Sequence, residues 1–451
     1  MYQARNGCRS NARHGAYGLA LLAASALAPL STALAAPIEA TAPAVTVLKA
    51  GRLVDVATGK VKTDQVLIIS GDTITSVGPA GSTAIPAGAN VIDLSDSTVM
   101  PGFIDTHTHV TANPFEGSYE GLATSIPRAT VRGVANAQKM LLAGFTTVRD
   151  VGAPGFSDVA IRDAIADGEV PGPRMLVSGP ALGITGGHCD NNMLPPEYED
   201  KSEGVADGPT EVRRVVRRNV KYGVDVIKYC GTGGVFSKGT QVGAQQYTEE
   251  EMRALIDEAH MHGRKVAVHA HGTEGIKAAL RSGVDTVEHA SMIDDEGIAL
   301  AKKTGAFLSM DIYNTEFTQS YGKAHGVLEE FLRKDREVAQ VQRDNFKKAV
   351  QAGVKLTLGS DAGVYPHGDG GKQFAVMVEY GMTPMQAIQA ATLNGAQALG
   401  VEKSWGQLAP GLKADIVAVK GDPIANIREL ETVDFVMKGG TIYKNELAAQ
   451  P

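Results

Sequence analysis

The chain has 451 residues, enough for one large domain with a smaller companion and too many for a single small module. Hydrophobic residues make up 43% and charged residues 21%, which excludes a disordered chain. A formal charge of −7 leaves no electrostatic case for nucleic acid as a partner.

Residues 1–35 read as a secretory signal peptide. Arg5, Arg9 and Arg13 form a basic stretch without acids, Tyr17 to Leu30 an apolar run, and Ala33-Leu34-Ala35 a small-residue cleavage pattern. A membrane anchor is the alternative. Pro29 and the alanine-rich run argue against a spanning helix, and no later stretch is long and apolar enough to span a bilayer. The expectation is an exported protein, periplasmic or secreted, without stable membrane insertion after cleavage. Cleavage removes three arginines and no acid, so the charge moves from −7 to −10. It also removes Cys8. Cys189 and Cys230 remain, enough for one bridge in an oxidising compartment and equally readable as buried thiols.

An Ala/Pro/Thr-rich linker, 36–44, leads into short β-like runs at Val45–Leu48, Val66–Ile69 and Ile74–Val77, with turns at Thr58-Gly59 and Gly71-Asp72. From Met100 apolar strand-like runs alternate with helical segments. Eight strands are predicted: Gly102–Asp105, Thr146–Asp150, Met175–Gly179, Asp225–Tyr229, Lys265–His269, Asp285–His289, Ala306–Asp311 and Lys355–Ser360. Helices are predicted between them, for example over Glu249–His262 and Asp335–Ala352. The expected fold is α/β: a (β/α)8 TIM-type barrel over 100–404. A doubly wound sheet is the alternative, but no Gly-x-Gly-x-x-Gly turn follows the first strand. The β pattern returns at Ile416–Val419, Asp434–Met437 and Thr441–Tyr443, so 45–99 and 405–447 are expected to form one small composite β domain.

The chemistry gathers at predicted strand ends. His107 and His109 alternate at the first strand's end and so face the same way. Imidazole pairs at this spacing suit Zn²⁺ or a similar ion. Lys228 closes the fourth strand, where its charge would be costly beside a metal unless neutralised. Reaction with CO₂ gives a carbamate that can bridge two ions; a snorkelling lysine is the plain alternative. His269, His289 and Asp361 end the fifth, sixth and eighth strands. Each alone is an ordinary structural residue. Six ligand-type residues at five strand ends read as a metal site.

These motifs resemble the metal-dependent amidohydrolase superfamily over about residues 45–445. The resemblance rests on Pro101-Gly102-Phe103-Ile104-Asp105-Thr106-His107-Thr108-His109, then Lys228, His269, His289, Gly359-Ser360-Asp361 and the tail Gly406 to Val417. It implies two divalent metal ions, Zn²⁺ by default, bridged by a hydroxide. His107, His109, an N-carboxylated Lys228 and Asp361 hold one ion; the carbamate, His269 and His289 hold the other. Ile184-Thr185-Gly186-Gly187-His188, Gly231 to Val235 and Val268-His269-Ala270-His271-Gly272 look like the prolidase and carboxypeptidase branch, which includes ochratoxin A-hydrolysing amidohydrolases and is related to imidazolonepropionases. A homo-oligomer is also implied.

The expected reaction is hydrolysis of an amide or peptide bond, with Asp361 as general base and then acid. Two ions against three anionic groups leave a positive field, which favours a small-molecule or short-peptide substrate carrying a carboxylate. His188 and His271 are the candidate catalytic and substrate contacts, and Tyr313 is a candidate for the pocket wall. His367 lies within reach of the mouth, whereas His260, His262 and His325 read as surface residues. The run Glu329 to Arg336 reads as a solvated helix face. The competing readings are a cyclic-amide hydrolase and a non-catalytic barrel interaction protein. A mononuclear deaminase has no use for a bridging Lys228.

Overall fold

The computed structural model describes residues 45–447. The predicted signal peptide and linker lie outside the described residues. Among those described, no helix is long and apolar enough to cross a membrane.

The chain opens with β1 (Val45–Asp55), β2 (Lys60–Ser70), β3 (Thr73–Pro79) and β4 (Asn90–Pro101). The first hairpin turns at Thr58-Gly59, where Gly59 has φ 67°, a left-handed value that only glycine adopts without strain. Eight further strands follow: β5 (Phe103–Thr108), β6 (Phe145–Asp150), β7 (Arg174–Val177), β8 (Val226–Cys230), β9 (Lys265–Ala270), β10 (Thr286–His289), β11 (Phe307–Ser309) and β12 (Leu356–Thr357). The last are β13 (Ile416–Val419), β14 (Phe435–Lys438) and β15 (Thr441–Asn445).

One mixed seven-stranded sheet, in the order β15-β14-β13-β4-β1-β2-β3, draws on both ends of the chain. β4 makes the join, pairing parallel with β1 and antiparallel with β13. Leu48, Leu53, Leu67, Ile69 and Phe435 fill its own apolar cluster.

β5 to β12 form parallel sheets of three strands (β5-β6-β7) and five strands (β12-β11-β10-β9-β8), with helices between successive strands. The expected single closed ladder is not what the hydrogen bonds draw. The two sheets meet at seams made by isolated bridges, Leu182 with Tyr229 and Thr108 with Ala362. Backbone bonds flank both seams, from Leu182 N–H to Lys228 O and from His109 N–H to Ala362 O, each 2.8 Å. This is a TIM-barrel-type α/β arrangement. The strands are buried on both faces, as parallel strands covered by helices must be.

The seventh and eighth strands are shorter than predicted, three and two residues. Beyond them the chain leaves the ladder; Asp361, for example, turns left-handed at φ 57°. The long helix starts at Glu329 rather than Asp335 and runs to Ala352. Its charged start is not wholly solvated: Lys334 and Asp335 are buried. Lys334 Nζ donates to Ser237 O at 2.6 Å, and Asp335 accepts from Thr315 and Gln319. Neighbouring loops cover this face.

Arg174, at the start of β7, pairs with Asp415 just before β13. Asp415 also accepts from Gly439 N–H at 2.8 Å. Asp415→Ala breaks this part-buried ion pair and leaves the Gly439 N–H without its acceptor; it is expected to lower stability by about 2 kcal/mol, seen as a lower urea midpoint with an unchanged slope.

Candidate active site

The C-terminal strand ends open on a cavity of about 810 Å³. His107, His109, Lys228, His269, His271, His289 and Asp361 line it, joined by His188 from the loop after β7. All six residues predicted as ligands therefore meet at one place.

Three overlapping groups of donors form, the third of them His289, Asp311 and Asp361. His107, His109 and Asp361 make the first: Asp361 Oδ1 lies 3.3 Å from His107 Nε2 and 3.4 Å from His109 Nε2. Two donors each about 2.0 Å from one tetrahedral ion sit roughly 3.3 Å apart, so the spacing fits a shared metal. His269, His271 and His289 make the second, with donor atoms all within 4.8 Å of one another. Lys228 lines the same cavity and is buried.

Hydrogen bonds on Nδ1 orient the rings. His107 Nδ1 donates to Glu288 Oε2 at 3.0 Å, His289 Nδ1 to Asp311 Oδ1 at 2.8 Å, and His109 Nδ1 to Gly152 O at 3.1 Å. An imidazole that donates from Nδ1 in this way presents Nε2 to the cavity, where in a neutral ring it keeps a free lone pair. Ser291 Oγ sits 2.8 Å from His271 Nδ1, and Ser237 Oγ 2.8 Å from His188 Nδ1. His107 Nε2 and His269 Nε2 are buried with no hydrogen-bond partner. Buried polar atoms are rarely left so. Orphaned imidazole nitrogens beside a carboxylate are a donor set that fits a divalent metal.

Charge follows the same logic. Burial drives His109 down to about 4, His188 to about 3, and His269 and His271 well below the usual histidine range. These rings are neutral near pH 7 and able to coordinate. Burial likewise pushes the Lys228 amine down to about 8. Burial opposes ionisation of Glu288 too, but Arg149 and His107 outweigh it and hold the carboxyl well below its ordinary value. Arg149, itself buried, donates to Glu288 Oε1 at 2.7 Å and to Thr106 O at 2.6 Å.

Backbone geometry completes the site. His289 (φ 66°), Ala290 (φ 47°) and Asp361 (φ 57°) are all left-handed, a conformation non-glycine residues hold only under constraint. At Gly234 a Cβ would lie 2.4 Å from His188 Cε1 and 2.6 Å from His269 Nε2, so only glycine fits.

Other expectations divide. The His188 ring stacks on His269 at 4.0 Å, and His271 stacks on His289 at 4.6 Å. Tyr313 does not line the cavity; its ring packs edge-on against Tyr365, because the chain turns away after β11. His367 is not at the mouth. It lies buried beneath β5's end, 3.1 Å from His109 O. His260, His262 and His325 are surface residues; His260 pairs with Asp285 and His262 with Glu258. Cys189 and Cys230 are joined by a disulfide on the cavity wall. Glu288, Asp311 and Arg149 were not anticipated. The one signal for Arg149 was a lone arginine inside an apolar strand.

The amidohydrolase family profile matches residues 98–443. The chain belongs to the amidohydrolase family. It is 32% identical to an ochratoxinase of Aspergillus niger over 428 residues, 89% of this chain and 87% of that one. It is 24% identical to an imidazolonepropionase of Chromobacterium violaceum over 358 residues, 72% of this chain and 78% of that one. A crystal structure of a Xaa-Pro dipeptidase with bound methionine in the active site superposes with a TM-score of 0.83 at 36% identity, covering 89% of this chain and all of that one. The protein is thus a hydrolase acting on C–N bonds, and its TIM-barrel-type fold is that of its relatives.

Two expectations follow for this amidohydrolase. Glu288→Gln weakens the hold on His107 and is expected to cut metal affinity about 10–100-fold, read by chelator competition. Burial holds the His367 ring at about 4, against an ordinary value of 6.5. Between those pH values the unfolded chain takes up a proton that the folded protein refuses. This contribution is therefore present above pH 6.5 and lost as pH falls towards 4, about 3 kcal/mol in full. His367→Gln keeps a donor for His109 O and is expected to reduce the drop in urea midpoint between pH 7.5 and pH 4.5.

Proposed function

We propose that this amidohydrolase is a binuclear metal enzyme that hydrolyses the amide bond of N-acyl amino acids or short peptides. It is of carboxypeptidase or dipeptidase type, with ochratoxin A within its range. One observation carries the reading: overlapping donor clusters, with orphaned Nε2 atoms, lie in one cavity with a buried lysine. His107, His109 and Asp361 would hold one ion, His269 and His289 the other, and N-carboxylated Lys228 would join them. Divalent ions bound there polarise a carbonyl oxygen and acidify water.

The chain's own residues do the rest. Asp361, shared by two of these clusters, accepts the proton of the attacking water as its oxygen joins the carbonyl carbon. It returns that proton to the nitrogen as the C–N bond breaks, so the amine leaves neutral. His188 and His271, each fixed through Nδ1, contact the substrate's carbonyl or carboxylate oxygens. Above them Leu122, Ile126, Phe236, Phe317, Tyr321 and Phe331 give the cavity an apolar wall, which suits a bulky apolar group on the substrate.

On the same reading residues 100–404 are the catalytic barrel, and 45–99 with 405–447 are its supporting β domain. The protein is exported, which the signal-like first 35 residues and the disulfide both favour. A homo-oligomer is proposed on the family resemblance alone.

The test is hydrolysis by the mature protein supplied with Zn²⁺ and bicarbonate. The panel holds dipeptides, N-acyl amino acids, ochratoxin A and cyclic amides, read by mass spectrometry. Release of a free amino acid is expected, with Lys228→Ala slower by about 10²–10³-fold, the scale of several kcal/mol of lost stabilisation. Turnover of cyclic amides alone would replace this reading with a ring-opening one.

A further inference from the structure

We propose that the Cys189–Cys230 disulfide is a positioning element of the active site: it holds His188 against His269, so that substrate engagement depends on the bond being oxidised. This rests on the reading of His188 as a substrate contact.

Cys189 directly follows His188 in the long connection between β7 and the helix Gly208–Lys221. That connection contains only one short 3₁₀ turn, Pro196–Tyr198. Of residues 184–203 Gly187 alone is buried, and Ile184, packed on the core at the segment's start, is its one apolar anchor; from His188 to Glu203 there is none. The segment's other ties are hydrogen bonds: Thr185 donates twice to Asp207, and Glu203 O accepts from Arg218. His188 N–H donates to Gln246 Oε1 at 3.0 Å, Ser202 N–H to Asp190 Oδ1 at 2.9 Å, and Asn192 Nδ2 to Gly187 O at 2.7 Å.

Cys230 is a rigid counterpart. It is buried, it ends β8, and it stands two residues after Lys228, on the same face of the strand. Its N–H donates to Leu182 O at 2.8 Å, and its strand pairs with β9. The disulfide, with Cα atoms 5.8 Å apart, thus ties a loosely held loop to the strand that carries the buried lysine. The neighbouring His188 ring stacks on His269 at 4.0 Å. Without the bond, His188 relies on contacts to Ser237 and Gln246, and the loop samples more positions.

The chemistry balances. Two thiols lose their protons and two electrons to a disulfide donor by exchange, and the donor becomes a dithiol. In reverse, a phosphine and water cleave the S–S bond; two thiols form and the phosphorus becomes its oxide.

The experiment uses the exported, metal-loaded protein. Denatured without reductant it should show no free thiol, since the mature chain retains only these two cysteines. Phosphine reduction, or the Cys189→Ser/Cys230→Ser variant, should speed hydrogen exchange over 184–203. It should raise KM about tenfold while kcat changes less than about twofold, with metal content and circular dichroism unchanged. Reoxidation should restore the reduced protein. In a His188→Ala background the same loss of the bond should add nothing to KM. Unchanged exchange in the loop, an unchanged KM, or an equal tenfold rise in the His188→Ala background would each overturn the inference. A panel without any turnover would overturn the substrate reading alone, because loop exchange still reports on the disulfide.

Discussion

The site depends on how buried imidazoles are turned. Five rings in the cavity have Nδ1 engaged by Glu288, Gly152, Ser237, Ser291 or Asp311. That leaves Nε2 atoms crowded at the strand ends with little but one another and Asp361 to meet. A protein interior rarely tolerates unpartnered polar atoms. Here the surrounding structure enforces them, and a bound metal ion would resolve the conflict. Protein groups on Nδ1 set the ring orientations.

Arg149 is the deepest part of this support. A buried carboxylate at Glu288 is expensive by itself, and a buried guanidinium equally so. Together, with Thr106 O and Thr286 Oγ1 as further acceptors, they are satisfied and fix His107 from behind. Asp311 does the same for His289, and Gln342 in turn donates to Asp311 at 2.9 Å. The cavity-facing groups are few, but the hydrogen bonds that orient them reach across β5, β6, β10 and the long helix Glu329–Ala352.

The cavity is uneven by design of its parts. Imidazoles, the carboxylates of Asp311 and Asp361 and the Lys228 amine line its floor, where strands are rigid. Aromatic and aliphatic side chains line its upper wall, most of them from helical segments that follow the strands: Ile126, Phe317, Tyr321 and Phe331. The disulfide sits where the two meet.

Much of this was legible in the sequence. Alternating strand and helix patterns located eight parallel strands, and period-two alternation put His107 and His109 on one face. Ligand-type residues at strand ends marked the site, since a parallel strand's end is where a barrel gathers side chains. What tertiary structure alone decided lies between distant segments. Glu288 and His289 are neighbours and by alternation should face opposite ways, yet both serve the histidine cluster, because His289 and Ala290 turn left-handed. Tyr313 and His367 follow strands whose ends are close to the cavity, but the chain's turn after each sends their rings elsewhere. Spacing along a strand determines which face a residue takes. Backbone angles at the strand's end and packing against remote loops determine where its side chain finally lies, and those are settled only when the chain closes on itself.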